Sequence, residues 1–194
     1  MIWLTADTHL GHENILRYRP FDSIKRMDRY MIDAINDMVA PSDELYVLGD
    51  FSFRVPREDV RRYRWLLRCN NVHLVRGNHD MSWNGEWHGC SPFQSERDYF
   101  DGVHSPRPNR HRIVMCHYPL MSWRSMDYGS IHAHGHMHAD MGYNERNRDA
   151  GVLMYDVGVD ANGFRPVSLE QLAGFFSGIE PRRRHHMRDE VEPQ

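Results

Sequence analysis
With 194 residues, 40% of them hydrophobic and 26% charged, the chain has the size and make-up of one soluble domain with a buried core. No run approaches the ~20 consecutive apolar residues of a membrane span, so no membrane partner is expected. The formal charge of −3 excludes a globally basic nucleic-acid coat, and nucleic acid is not a favoured partner.

The first predicted element is the apolar run Ile2-Trp3-Leu4-Thr5-Ala6, which stops at the polar cluster Asp7-Thr8-His9 as a buried strand ending in a loop does. From Met27 onward, Met27, Tyr30, Met31, Ala34, Ile35 and Met38 fall at helical spacing, and Pro41 marks the stop. Leu45-Tyr46-Val47-Leu48 forms a second strand ending at Gly49-Asp50. After Pro56, Val60, Tyr63, Leu66 and Leu67 give a second amphipathic helix, and a third strand, Val72 to Val75, ends at Gly77-Asn78-His79-Asp80. This strand-helix-strand-helix-strand order predicts a parallel sheet, with ligands gathering outside the carboxyl ends of its strands.

Residues 81–109 show no clear period and read as loops with one short strand at Tyr99-Phe100. Strands resume at Arg112 to Cys116, Ile131 to His134 and Val152 to Val159, and the first two run directly into His117 and into Gly135-His136-Met137-His138. Ser168 is placed to cap a last helix through Phe176. Residues 1–178 thus read as one domain, and residues 179–194, charged and nearly free of apolar side chains, as a disordered tail.

The N-terminus carries neither a basic leader nor a long apolar segment before a cleavage site, which predicts a cytoplasmic protein. Cys69, Cys90 and Cys116 form no CxxC pair, which argues for reduced thiols and against a disulfide framework or a thiolate zinc site. All but one of the 24 positive residues are arginines, whose forked guanidinium suits a phosphate ligand.

The clusters Asp7-Thr8-His9, Gly49-Asp50, Gly77-Asn78-His79-Asp80, His117 and Gly135-His136-Met137-His138 combine carboxylate, imidazole and amide oxygen at predicted strand ends. These are donors for borderline or hard divalent metals. One D-x-H alone is weak evidence, because any strand can end in a turn that contains Asp. A series of such clusters, each at a strand end, is consistent evidence for one site.

In this order and with these spacings the clusters resemble the signature of the calcineurin-like metallophosphoesterases: D-x-H, GD, GNHD, H and GHxH. The runs His9 to Ile15, Cys116-His117-Tyr118-Pro119-Leu120 and Val157-Gly158-Val159-Asp160 resemble the small single-domain bacterial and phage members in particular. The resemblance implies an α/β fold arranged as a four-layer α/β/β/α sandwich. It implies that Asp7, His9 and His138 hold one divalent metal, that Asn78, His117 and His136 hold a second, and that Asp50 bridges the two. Manganese is the favoured metal, with iron and zinc compatible with the same donors. The resemblance also implies His79 as general acid or transition-state stabiliser, oriented by Asp80, against the alternative that Asp80 is a turn residue.

For the substrate, His12 is weighed evenly between a binding and a structural role, and Arg17 is a weaker phosphate candidate beside its reading as a solvated helix-end charge. Two positions depart from the family pattern: Ala139 follows GHxH where Gly is frequent, and Asp156 precedes Val-Gly-Val-Asp where Asn is common. The implied reaction is attack of a metal-bound hydroxide on a small-molecule phosphate ester. A phosphodiester, cyclic nucleotides included, is the first expectation. A phosphomonoester or nucleotide is the second, and an interaction scaffold on the same fold the third. The sequence leaves the oligomeric state open.

Overall fold
The computed structural model describes residues 1–80, 92–106 and 110–182. The opening apolar run forms β1 (Ile2–Thr5), which sends Trp3 into the apolar cluster beneath the first helices and Leu4 into the cluster between the sheets. That alternation is what a strand covered on both faces requires. The helix α1 (Ile24–Met38) buries Met27, Met31, Ile32 and Ile35, and its backbone turns extended at Val39, shortly before Pro41. In α2 (Arg57–Leu66) Val60 and Tyr63 are buried, but Leu66 is 49% exposed. The chain leaves the helix in an extended conformation at Leu67, which takes the buried place expected of its neighbour.

β1 pairs in parallel with β2 (Glu44–Val47), and β2 with β3 (Asn71–Val75), placing Trp3 opposite Leu45 and Leu45 opposite Val72. A parallel edge strand, β4 (Ser95–Arg97), and an antiparallel one, β9 (Val167–Ser168), complete a sheet of order β4-β3-β2-β1-β9. The second sheet has the order β5 (Tyr99–His104), β6 (Arg112–Cys116), β7 (Ile131–His134), β8 (Met154–Asp156), parallel from β6 to β8 with β5 antiparallel at the edge. Leu4 and Tyr46 of the first sheet meet Ile113, Met115, Ile131 and Ala133 of the second in one apolar cluster. With α1 and α2 over the first sheet and α3 (Tyr143–Asp149) against β8, the layers run α/β/β/α.

The last helix, α4 (Leu169–Phe175), starts at the expected cap: Ser168 Oγ accepts the Gln171 N–H at 3.1 Å and Gln171 Oε1 accepts the Ser168 N–H at 2.8 Å. This reciprocal pair satisfies two otherwise orphaned donors. Beyond it Ile179 packs against the inter-sheet cluster and the Arg182 N–H donates to the Gly151 carbonyl at 2.8 Å, so residues 179–182 belong to the packed domain and not to a tail. The remainder of the expected tail, residues 81–91 and 107–109 of the stretch expected as loops, and Cys90 lie outside the described residues.

Two local expectations change, and one helix was not foreseen. The stretch read as loop with a strand at Tyr99-Phe100 carries both β4 and the longer β5, and β4 reads Ser-Glu-Arg, a backbone-paired edge with no apolar alternation. The strand expected from Val152 to Val159 is ordered as β8 over three residues only, because the backbone leaves the sheet and turns into a 3-10 turn at Val159–Asn162. α3 has no apolar stripe; Asn144 anchors it by accepting the Asp156 N–H at 2.8 Å and donating to the Asp156 carbonyl at 3.0 Å. Among the described residues no helix is long and apolar enough to cross a membrane.

Candidate metal centre
The carboxyl ends of β1, β2, β3, β6 and β7 deliver Asp7 and His9, Asp50, Asn78 to Asp80, His117, and His136 and His138 respectively. Both sheets contribute, and a bridge between Ala6 and Gly158 ties their ends together. Asp7, His9, Asp50, His136 and His138 all have left-handed backbone, with φ of 57°, 48°, 53°, 70° and 45°. Each such non-glycine residue costs on the order of 1–3 kcal/mol and persists only where its surroundings over-determine it. Here the Asp7 N–H donates to the Gly49 carbonyl and the His9 N–H to the Asp50 carbonyl, both at 3.0 Å, while the His136 N–H donates to Asp7 Oδ2 at 2.9 Å. The glycines of the motifs are sites of close approach: a Cβ on Gly135 would stand 2.6 Å from Asp7 Oδ2, and one on Gly77 would collide with Asp50 Oδ1.

Asp7, His9 and His138 each offer a donor atom within 4.8 Å of the others. His9 Nε2 and His138 Nε2 lie 3.1 Å apart. His138 donates its Nδ1–H to Asp160 Oδ2 at 2.7 Å, which turns the Nε2 lone pair toward His9. Among the described residues, Asp7 Oδ1 and His9 Nδ1 are buried without a hydrogen-bond partner, a combination that protein interiors rarely leave uncompensated. Burial above all, with the charges of Asp156 and Asp50 nearby, pushes the Asp7 carboxyl well above the usual carboxylate range. Burial likewise holds His9 down to about 2, helped by His138 and Arg19, so its imidazole is neutral.

A second convergence joins it. His117 donates its Nδ1–H to the Leu48 carbonyl at 2.8 Å, leaving its Nε2 lone pair 3.0 Å from Asn78 Oδ1, and the same amide oxygen lies 2.9 Å from His136 Nδ1. The His117 lone pair facing the Asn78 amide oxygen sets acceptor against acceptor, which fits a cation between them. Asp50 Oδ2 stands 3.6 Å from His9 Nε2 and 3.6 Å from His117 Nε2, midway between the two groups. Asp7, expected to serve one metal only, also falls within 4.8 Å of donor atoms on Asp50 and His117. The donor set therefore fits two divalent cations, with imidazole, carboxylate and amide oxygen and no thiolate.

His79 hangs its backbone N–H on Asp50 Oδ1 at 3.0 Å and sets its ring edge-on to Phe53, centroids 4.4 Å apart, with Nε2 3.9 Å from Asp50 Oδ2. Its side chain is 37% exposed. Asp80, expected to orient that imidazole, turns its carboxylate to backbone donors. Its Oδ2 accepts the N–H groups of Asp50 at 2.7 Å and Gly77 at 2.8 Å, and its Oδ1 accepts that of Phe51 at 3.2 Å. It pins the loops after β2 and β3 to each other. Burial pushes its carboxyl up to about 7 against the pull of these donors.

His12 packs on the other side of Phe53, centroids 4.1 Å apart, and its ring is 5.7 Å from that of His9, which places it at the rim of the centre. Arg17 is exposed at the end of the 3-10 turn Glu13–Arg17, and among the described residues no hydrogen bond or ion pair joins it to the cluster. The arginine that does reach the centre is Arg19, which sequence reasoning missed. Buried, it donates to both oxygens of Asp160 and to the carbonyls of Asp7 and Thr8, at 2.7 and 3.1 Å. Asp28, a polar position on the helical stripe, is also buried and accepts the Gly11 N–H and the Tyr63 hydroxyl. The two departures in motif sequence meet: the Ala139 N–H donates to Asp156 Oδ2 at 3.4 Å, and Asp156 Oδ1 accepts the Gly158 N–H at 2.7 Å.

Against known proteins, the family model described as calcineurin-like phosphoesterase matches residues 1–167. An uncharacterized protein of Methanocaldococcus jannaschii is 28% identical over 173 residues, covering 87% of each chain. The gene 66 protein of Mycobacterium phage L5 is 25% identical over 200 residues, covering 88% of this chain and 91% of its own. A crystal structure of a protein of unknown function from Aquifex aeolicus superposes with a TM-score of 0.66 at 22% identity over 90% of this chain and 98% of that one, a likeness of fold.

Proposed function
Because the chain belongs to the calcineurin-like phosphoesterase family, we propose that this metal-dependent phosphoesterase is a phosphodiesterase working with two manganese ions in the cytoplasm on a small-molecule substrate. The observation that carries the two-ion reading is the position of Asp50 Oδ2, 3.6 Å from both His9 Nε2 and His117 Nε2. Asp7, His9 and His138 would hold one ion and Asn78, His117 and His136 the other, with Asp50 shared. Two such ions, when bound, lower the pKa of water and clamp the attacking and leaving oxygens of an in-line displacement.

The chain's own residues do the rest. His79 stands beside the bridging carboxylate with an exposed ring and donates a proton to the departing ester oxygen. Phe53, wedged between His79 and His12, fixes both rings by packing. Of the arginines near the centre, Arg19 is committed to Asp160 and two carbonyls, while the Arg54 guanidinium lies 5.0 Å from the Phe53 ring at the rim.

Hydrolysis of bis-p-nitrophenyl phosphate and p-nitrophenyl phosphate, side by side on metal-stripped protein with and without manganese, tests the reading. Manganese-dependent turnover favouring the diester is expected. Preference for the monoester would move the assignment to a phosphatase, and no turnover by a folded, metal-loaded protein would favour a scaffold.

A further inference from the structure
On the His138 side of the centre the surface falls into a hollow of about 610 Å³, within the range of about 300–1,000 Å³ typical of small-molecule pockets. Its walls are Ile15, Tyr18, Met141 and Phe164, and it shares His138 and Asp160 with the metal centre. Large apolar side chains stand in solvent at its lip: Tyr18 is 84% exposed and Met141 68%. Phe164 adopts φ of 63°, a conformation an aromatic residue rarely takes, and its N–H donates to the Val159 carbonyl at 2.8 Å. Strain of that kind clusters at ligand sites.

Among the described residues that line it, the hollow has no unpaired charge to offer. Both oxygens of Asp160 accept from Arg19, and both oxygens of Asp140 at the rim accept from Arg146, at 3.0 and 2.7 Å. A second phosphate would find no free cation on these walls, and an ammonium would find the carboxylates already engaged. An uncharged flat ring loses nothing on entering and gains contact with Tyr18, Met141 and Phe164.

Resting on the phosphoesterase reading, we propose that this hollow receives an uncharged aromatic ring carried by the phosphate ester, so that the protein selects ring-bearing esters over small aliphatic ones. The ring is either bonded directly to the ester oxygen or is a nucleobase held one sugar away. In both cases the phosphate lies at the metal centre and the ring beside His138.

The test is calorimetric binding of ligands to the manganese-loaded full chain, which does not depend on turnover. Phenylphosphonate is compared with methylphosphonate, and adenosine 5′-monophosphate with ribose 5-phosphate, in wild type and in Tyr18→Ala and Met141→Ala. Both substituted side chains are exposed, so folding is preserved. The ring-bearing member of at least one pair should bind about tenfold more tightly, a typical return for one well-packed ring. That preference should shrink to within about twofold in Tyr18→Ala, while the aliphatic member is unchanged. The pair that responds identifies the kind of ring. Equal affinity within both pairs, or a preference that survives both substitutions, would overturn the pocket and leave the phosphoesterase reading standing. Binding of the aliphatic members alone would overturn the pocket as well, and turnover of bis-p-nitrophenyl phosphate by the same preparation decides the phosphoesterase reading independently.

Discussion

Arg19 and Asp160, 141 positions apart in sequence, form a two-pronged ion pair, Nε to Oδ1 at 2.9 Å and Nη2 to Oδ2 at 2.8 Å. The consequence is felt at His138, whose Nδ1–H bonds the same Asp160 at 2.7 Å. Arg19 and His138 together hold the Asp160 carboxyl down to about 2 despite its burial, so the carboxylate stays charged and the imidazole stays aimed. Asp160→Asn should therefore weaken metal binding about 10–100-fold, the usual cost of losing the partner behind a ligating histidine. Metal titration followed by calorimetry reads it, and an unchanged affinity would show that His138 needs no such support.

Asp50 stands between the two donor groups, and its loss should affect both ions at once. Asp50→Ala is expected to lower the metal content measured by elemental analysis from two ions to one or fewer. Turnover should fall by at least about a thousandfold, as expected when a charge-stabilising element is removed. A variant that retained full activity would remove the mechanism.

In the proposed reaction His79 gives a proton without holding either ion. His79→Asn should lower kcat by about 10²–10⁴, with metal content unchanged. Asp80→Asn should behave differently, since an amide cannot accept from three backbone N–H groups as the carboxylate does. A stability loss of about 1–3 kcal/mol is expected from the unsatisfied donors, read as a lower denaturant midpoint. If Asp80→Asn instead left stability intact and altered only the pH dependence of turnover, the imidazole-orienting role would be restored.

Behind the centre, on the outer face of the second sheet, His132 and His134 are buried, and burial pushes each down to about 4. Both are neutral in the folded protein and free to protonate in the unfolded one. Their contribution to stability is thus fully present above the ordinary histidine value of about 6.5 and is lost as pH falls through about 4. Between those limits the metal-free protein should lose on the order of a few kcal/mol, visible as a falling melting temperature. His132→Phe, which keeps the ring and removes the proton site, should flatten that fall. An unchanged slope would place the acid sensitivity elsewhere.

Much of this architecture was legible in the sequence for a physical reason. β1, β2, β3 and β6 are covered on both faces and are dominated by apolar residues, β7 alternates apolar residues with buried histidines, and each strand is followed directly by donor residues. β4 and α3 were not legible because backbone pairing and the Asn144 bonds to Asp156 hold them, not an apolar pattern. At the centre, ligand types in a fixed order carried the signal. The supports behind them did not: Arg19 is one arginine among many in the sequence, and only the fold brings its fork to Asp160. Asp80 illustrates the same limit, since which partner a carboxylate takes depends on amides that two separate strand ends bring to it.

The claim on which the rest depends is that two cations share Asp50, and diffraction from crystals grown with manganese, collected at its absorption edge, tests it most directly. Two anomalous peaks roughly 3.5–4 Å apart are expected, with Asp50 between them, one peak against Asp7, His9 and His138 and the other against Asn78, His117 and His136. A single peak, or a pair in which Asp50 touches only one ion, would contradict the account.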